Sequence, residues 1–223
     1  ENVQLEEEIF NTLSVPRSTE YQVQLSDGTR VWLNSDSEIR YPVAFGKERR
    51  TVFLSGEAYF EVEKDAERPF YVVLDGMEVK VYGTSFNVNT HYQGKILTTL
   101  VEGKVGIRVK STGTESILQP NQMAEFNREK EEVEVTDVDP YYYTAWRAGE
   151  FVFQNETIEE IMDRLCRWYD TEVFYANDDV RKKRFTGIIA RFTDVADVLH
   201  LIGETATVQF DLKGDVITVS DSR

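Results

Sequence analysis

The sequence predicts a mainly β protein, a β-sandwich or barrel followed by a small α+β domain. Three observations carry this expectation. From Tyr21 to about Glu134, apolar and polar residues alternate with period two in short runs. Turn residues separate those runs at roughly 8 to 12-residue spacing, the grammar of sandwiches and barrels. After Asp139-Pro140 the grammar changes, and two stretches of helical spacing appear between strand-like runs.

Taken in order, Gln22-Val23-Gln24-Leu25 alternates, Ser26-Asp27-Gly28 supplies a turn, and Arg30-Val31-Trp32-Leu33 alternates again. This predicts a hairpin in which Asp27 and Gly28 serve the fold. Further strands are expected at Thr51–Leu54, Ala58–Val62, Phe70–Val73, Val79–Tyr82, Ser85–Val88, Ile96–Val101, Val105–Val109 and Glu132–Val135. Gly28, Gly56, Gly83 and Gly103 each precede such a run, at uneven spacing. That is a repeated turn-then-strand grammar and not a solenoid period.

In the second part, Tyr141 to Trp146 is an aromatic link and Phe151-Val152-Phe153 a strand. Thr157 and Glu160 have capping-box spacing, and Ile158, Ile161, Met162, Leu165, Trp168 and Tyr169 form one apolar helical stripe. A strand at Glu172–Tyr175, a basic loop Arg181–Arg184 and a strand at Phe185–Ala190 follow. Thr193 or Asp194 can cap a second helix carrying Val195, Val198, Leu199 and Ile202, which ends before Gly203. Strands at Val208–Leu212 and Val216–Val219 close the order β-α-β-β-α-β-β.

Composition excludes several function classes. A formal net charge of −15 over 223 residues repels a polyanion, so nucleic acid is not an expected partner. The runs Glu6-Glu7-Glu8 and Glu129 to Glu134 read as solvated segments. Cys166 is the single cysteine, which excludes an intrachain disulfide and a multi-cysteine zinc site. The two histidines, His91 and His200, lack partners at metal-ligand spacing, and no phosphate-binding glycine loop is present. No metal, no cofactor and no catalytic residue is therefore expected. No run of apolar residues is long enough to span a membrane, and the start at Glu1 instead of Met suggests an excised piece of a longer protein. A polysaccharide-binding or polysaccharide-cleaving sandwich is the alternative, with Glu57 and Glu61 as paired acids or Trp32, Tyr59, Phe60 and Phe86 as a stacking platform.

Motifs in sequence order carry a resemblance. They are Val15-Pro16-Arg17, Glu20-Tyr21-Gln22, Leu25-Ser26-Asp27-Gly28-Thr29-Arg30-Val31-Trp32-Leu33-Asn34-Ser35 and Arg40-Tyr41-Pro42. Arg50 to Val62, Arg68-Pro69-Phe70-Tyr71-Val72, Tyr82-Gly83-Thr84-Ser85-Phe86-Asn87-Val88 and Leu100-Val101-Glu102-Gly103-Lys104-Val105 continue the series. Together they resemble the FecR-like domain of bacterial anti-sigma regulators. Tyr143-Thr144-Ala145-Trp146, Phe151 to Glu156 and Leu165-Cys166-Arg167-Trp168-Tyr169 resemble the C-terminal domain that follows it, whose implied fold is like the short N-terminal signalling domain of secretins and TonB-dependent receptors. Two positions depart from the pattern: Ser18-Thr19 stand where Gly-Gly is common, and Asn121 where Gly is usual. Asn tolerates a left-handed turn, so that turn is expected to survive.

The resemblance implies a jelly-roll-like β-sandwich over residues 15–138 and a βαββαβ signalling-type domain over 144–223. Residues 1–14 would be a juxtamembrane linker, preceded in the family by a membrane helix and a cytoplasmic sigma-binding segment. It further implies a periplasmic, non-enzymatic sensor that contacts the periplasmic domain of a TonB-dependent outer-membrane receptor and controls an extracytoplasmic-function sigma factor. With both helices on one face of the sheet, the sheet edges are the expected docking places. The candidate partner-binding residues are Phe151, Val152, Phe153, Val216, Ile217, Thr218 and Val219.

Overall fold

Strands prevail up to Asp137 because β-branched and aromatic residues occupy every second position, so that a pleated run turns one face inward. In the computed structural model, which describes residues 9–222, these runs form strands of a sandwich. They are β1 (Phe10–Val15), β2 (Tyr21–Gln24), β3 (Arg30–Leu33), β4 (Ser37–Pro42), β5 (Arg50–Ser55), β6 (Glu57–Glu61) and β7 (Phe70–Val73). The series continues with β8 (Met77–Val81), β9 (Ser85–Asn89), β10 (Lys95–Glu102), β11 (Val105–Val109), β12 (Glu115–Leu118), β13 (Gln122–Asn127) and β14 (Glu132–Asp137).

Two seven-stranded sheets result, ordered β1-β4-β5-β7-β8-β11-β12 and β14-β13-β10-β9-β6-β3-β2. All their pairings are antiparallel except β5 with β7. Ile39, Val52, Phe70, Val79 and Ile107 of the first sheet meet Val31, Phe60, Phe86, Leu100 and Phe126 of the second in one core. The stacked Phe60 and Phe86 rings, 5.1 Å apart, sit inside it. The expected mainly β architecture is thus present as a sandwich.

The sandwich holds strands that the expected set lacked: β1, β4, β12 and β13. In β4, Ser37 and Ile39 face inward, so the inward row is not uniformly apolar. Phe10 to Ser14, expected in a linker, pair with β4 as most of β1. Residues 1–8 of that linker, including the run Glu6 to Glu8, lie outside the described residues.

A buried ion pair crosses the hairpin turn. Arg50 Nη1 donates to Asp27 Oδ2 at 2.7 Å and to the Glu63 carbonyl at 2.8 Å, and Arg50 Nε donates to the Arg68 carbonyl at 3.0 Å. The side chains of Arg50 and Asp27 are 0% and 4% exposed. Asp27 also accepts from the Thr29 backbone N–H and hydroxyl, at 3.0 and 2.8 Å. Asp27 therefore serves the fold, and does so through a partner 23 residues away. Asn121 (φ 67°) and Ser18 (φ 63°) both adopt the left-handed conformation that glycine would take most easily.

The second part begins with a short helix α1 (Tyr141–Thr144) and a 3₁₀ turn (Ala145–Ala148). Then come β15 (Glu150–Thr157), α2 (Ile158–Tyr169), β16 (Glu172–Tyr175), α3 (Asp178–Lys182) and β17 (Arg184–Ala190). Helix α4 (Val195–Ala206), β18 (Val208–Lys213) and β19 (Val216–Asp221) complete it. The described residues divide into two compact units, 9–16 with 20–140, and 17–19 with 141–222.

The α2 cap forms as its spacing predicts: Glu160 N–H donates to Thr157 Oγ1 at 3.2 Å, and Thr157 N–H to Glu160 Oε2 at 2.9 Å. Replacing Thr157 by Ala removes an acceptor at the helix start and is expected to cost about 1 kcal/mol. Urea denaturation of the variant checks this, and an unchanged midpoint would refute it. The stretch expected as a basic loop contributes the end of α3, because Asn177 caps it by accepting from the Asp179 and Val180 N–H groups. Helix α4 runs through Gly203 to Ala206. There the glycine serves close packing, since a Cβ would lie 3.1 Å from the Val208 carbonyl oxygen.

Helix placement differs from the expectation of one sheet with both helices on one face. Two sheets form, β15-β17 and β16-β19-β18. Helix α2 packs on β15 and β16, and α4 on β17 and β18, so each helix touches both sheets. One core results, joining Phe153, Phe185 and Ile189 to Ile161, Leu165, Ile202, Ile217 and Val219.

Candidate functional site

A strand can accept a partner strand only where its hydrogen-bonding edge is open. Strand β19 has no such edge, because β16 pairs with it in parallel on one side and β18 antiparallel on the other. Val216, Ile217, Thr218 and Val219 are therefore interior to their sheet, which corrects the expectation of an edge there. The parity of the sequence shows which face each residue takes, but not which strands will flank it.

Strand β15 has one partner, β17, yet it is not open either. Phe151, Val152 and Phe153 are all buried. The Val152 carbonyl already accepts from Arg164 Nη1 at 3.1 Å, and the same nitrogen lies 3.0 Å from both Glu156 carboxylate oxygens. Burial raises the Glu156 pKa, against the lowering effect of Arg164.

Strand β17 is the other member of that two-stranded sheet and supplies what both candidates lack. Its inward residues Phe185 and Ile189 enter the core. Ile188 is 61% exposed and Ala190 is exposed as well. Phe192, two residues further, is 74% exposed. Ile188 and Ala190 of β17, with Phe192 just past its end, thus form an outward apolar row on a strand that, among the described residues, pairs with β15 alone.

Arg191, between them, anchors the end of this row. It is 1% exposed, its guanidinium sits 3.8 Å from the Trp168 ring centroid and 5.4 Å from that of Phe151, and its Nη1 donates to the Trp146 carbonyl at 2.9 Å. Its own carbonyl accepts from Trp168 Nε1 at 2.7 Å and from the Tyr169 hydroxyl at 3.1 Å. Burial pushes the Tyr169 hydroxyl pKa up to about 12, so that hydroxyl remains a donor throughout the neutral range. With Arg191 turned inward, Phe192 turns outward, edge-on to Trp168 at 5.7 Å. Neither Ile188 nor Phe192 was among the sequence candidates. The adjacent pair Ile188-Ile189 was the available signal, since two neighbours on a one-sided strand cannot both face the core.

The residues considered for chemistry hold other positions. His200 is an exposed side chain on α4, 3.4 Å from Glu204. Cys166 is buried, and burial raises its thiol pKa, the opposite of nucleophile activation. Glu57 accepts from Asn34 and Asn87 side-chain amides at 2.7 and 3.0 Å, and Glu61 pairs with Arg30. Tyr59, Phe60 and Phe86 are buried and offer no stacking platform. Among the described residues no group of three His, Cys, Asp or Glu side chains is placed to hold a metal ion. No helix among them is long and apolar enough to cross a membrane.

Comparison with known proteins agrees with this division. A family model described as FecR protein matches residues 11–106, and one described as FecR, C-terminal, matches residues 150–219. Two crystal structures of a "putative anti-sigma factor" from Parabacteroides distasonis ATCC 8503, at 1.65 and 2.50 Å resolution, are similar to the chain. Each superposes with a TM-score of 0.86 at 28% identity, over 96% of this chain and 100% of that one. No curated protein matches.

Proposed function

Since the chain belongs to the FecR family, with the FecR domain and the FecR C-terminal domain in succession, we propose that it is the periplasmic sensing region of a membrane-anchored anti-sigma regulator. Its input is the periplasmic domain of a TonB-dependent outer-membrane receptor, and its output is control of an extracytoplasmic-function sigma factor, held by a cytoplasmic segment of the same regulator. The chain acts by binding and not by catalysis.

The observation that carries the docking site is the open edge of β17 with its outward row Ile188, Ala190 and Phe192. An incoming strand would extend the sheet through main-chain hydrogen bonds, and its alternate side chains would cover that row. Covering one exposed Ile contributes about 1.5–3 kcal/mol, roughly a tenfold to hundredfold change in affinity. Ile188→Glu is therefore expected to weaken binding of the receptor's periplasmic domain at least tenfold with its melting temperature kept, because this side chain is already solvent-facing. Thr218→Glu, on the interior strand β19, is expected to leave binding unchanged. Isothermal titration measures both. Normal binding by a folded Ile188→Glu variant would remove the docking site from β17.

A further inference from the structure

The outer face of the first sandwich sheet carries a groove of about 880 Å³ over β8, β11 and β12. Strand register shows how it forms. Tyr71, Lys80, Gly106 and Ile117 stand side by side across β7, β8, β11 and β12. Gly106 contributes no side chain, so the row has a trough between Lys80 and Ile117. Tyr82, a residue 46% exposed, flanks it.

Charge in this groove runs against the charge of the chain. Four basic residues, Lys64, Lys80, Lys104 and Arg108, line it against three acidic ones, Asp65, Glu78 and Glu115, in a protein of net charge −15. Among the described residues none of these three lysines forms an ion pair, whereas the groove's Asp65 is held by Arg68 at 2.8 Å and its Glu78 faces Arg108 at 3.9 Å. Lys80 Nζ lies 5.7 and 5.4 Å from the Tyr71 and Tyr82 ring centroids. Hydrogen bonding to Tyr82 raises its pKa, so the ammonium stays charged. Gly83 packs directly against the Lys64 stem, and the Lys104 carbonyl accepts from Thr84, which fixes the backbone at both of these lysines.

From this arrangement we propose that the groove binds a saccharide chain bearing carboxylates. Half-exposed Tyr82 suits stacking against the apolar face of a pyranose ring on the side that Lys80 does not cover, and the lysines suit its carboxylates. An acidic peptide fits less well. The trough lies on the sheet face, where Gly106 is already paired with Lys80 on one side and Ile117 on the other, so a peptide lying in it meets side chains and not main-chain partners, and the nearest ladder edge is that of β12, beside the trough. This site is separate from β17 and does not depend on receptor docking.

Titration of the 223-residue chain with tetragalacturonate and tetramannuronate tests the proposal. Saturable binding of at least one is expected, weakened roughly tenfold in the doubly neutralised Lys64→Gln/Lys104→Gln variant, whose side chains are solvent-exposed. Tyr82→Ala is expected to weaken it severalfold, with thermal unfolding run alongside to show that each variant is folded. Maltotetraose, a neutral tetramer, should bind at least tenfold more weakly. Absence of saturable binding by both uronates at millimolar concentration would overturn the proposal, as would equal binding of maltotetraose. Tighter binding of hexaglutamate than of either uronate would replace the saccharide with an acidic peptide.

Discussion

Replacing Arg50 by Met is expected to destabilise the sandwich by about 3–5 kcal/mol, the cost of leaving one member of a buried ion pair without its partner. Arg50 lies on β5, and its guanidinium joins the Asp27 carboxylate to the carbonyls of Glu63 and Arg68. Two separate connections, the β2–β3 turn and the β6–β7 segment, therefore converge on one side chain of β5. Its removal leaves a carboxylate 4% exposed with no cation to offset its desolvation, although Thr29 still donates to it. Asp27→Ala should cost a similar amount, since it strands the arginine. The double variant Asp27→Ala/Arg50→Met should then cost clearly less than the sum of the two, because neither charge remains. Urea denaturation of the four proteins measures the cycle. Additive losses would show that the pair is not coupled, and single losses below about 1 kcal/mol would show that water reaches it.

The second large effect is expected at Gly56, where the chain leaves β5 in one sheet and enters β6 in the other. Its φ is +99°, and a Cβ there would lie 2.3 Å from Ser37 Oγ and 2.6 Å from Ser37 Cα. Ser37 cannot withdraw freely, because its Oγ accepts from the Glu57 N–H at 2.8 Å. Gly56 is itself tied to Thr90, through its N–H to Thr90 Oγ1 at 2.7 Å and its carbonyl to the Thr90 N–H at 2.9 Å. Gly56→Ala combines a left-handed conformation with an overpacked crossing, about 3 kcal/mol together. The melting temperature should fall by roughly 10 °C. Gly94, also left-handed at φ +71° but with nothing within 4 Å of its would-be Cβ, is the control. Gly94→Ala should carry the conformational cost alone, about 1 kcal/mol. Equal losses at both sites would show that the contact with Ser37 contributes nothing.

Much of the fold could be read directly from the chain. Period-two alternation placed most of the sandwich strands, because inward and outward residues differ in kind along strands such as β8 and β11. The Thr157 and Glu160 cap and the apolar stripe of α2 depend on residues within one helix, so their spacing was sufficient. Strands β1 and β12 were not legible, because each lies at a sheet edge and shows little apolar contrast. The candidate site was half legible. Sequence pointed to a strand edge in the second part but named β15, whose Val152 carbonyl is already engaged, and β19, which is flanked on both sides, and did not name β17 with its outward row.

What the sequence determined by itself was therefore local: the period of each element, the turns, the helix starts and the change of grammar after Pro140. Only the tertiary structure decided that β16 and β18 enclose β19, that Arg164 occupies the Val152 carbonyl and that Ile188 faces outward. It also decided that Arg50 meets Asp27 and that Gly56 must pass Ser37. Alternation fixes the face a side chain takes from its immediate neighbours along the chain, whereas the partner at a strand's edge comes from residues far away in sequence, which no window of local pattern contains.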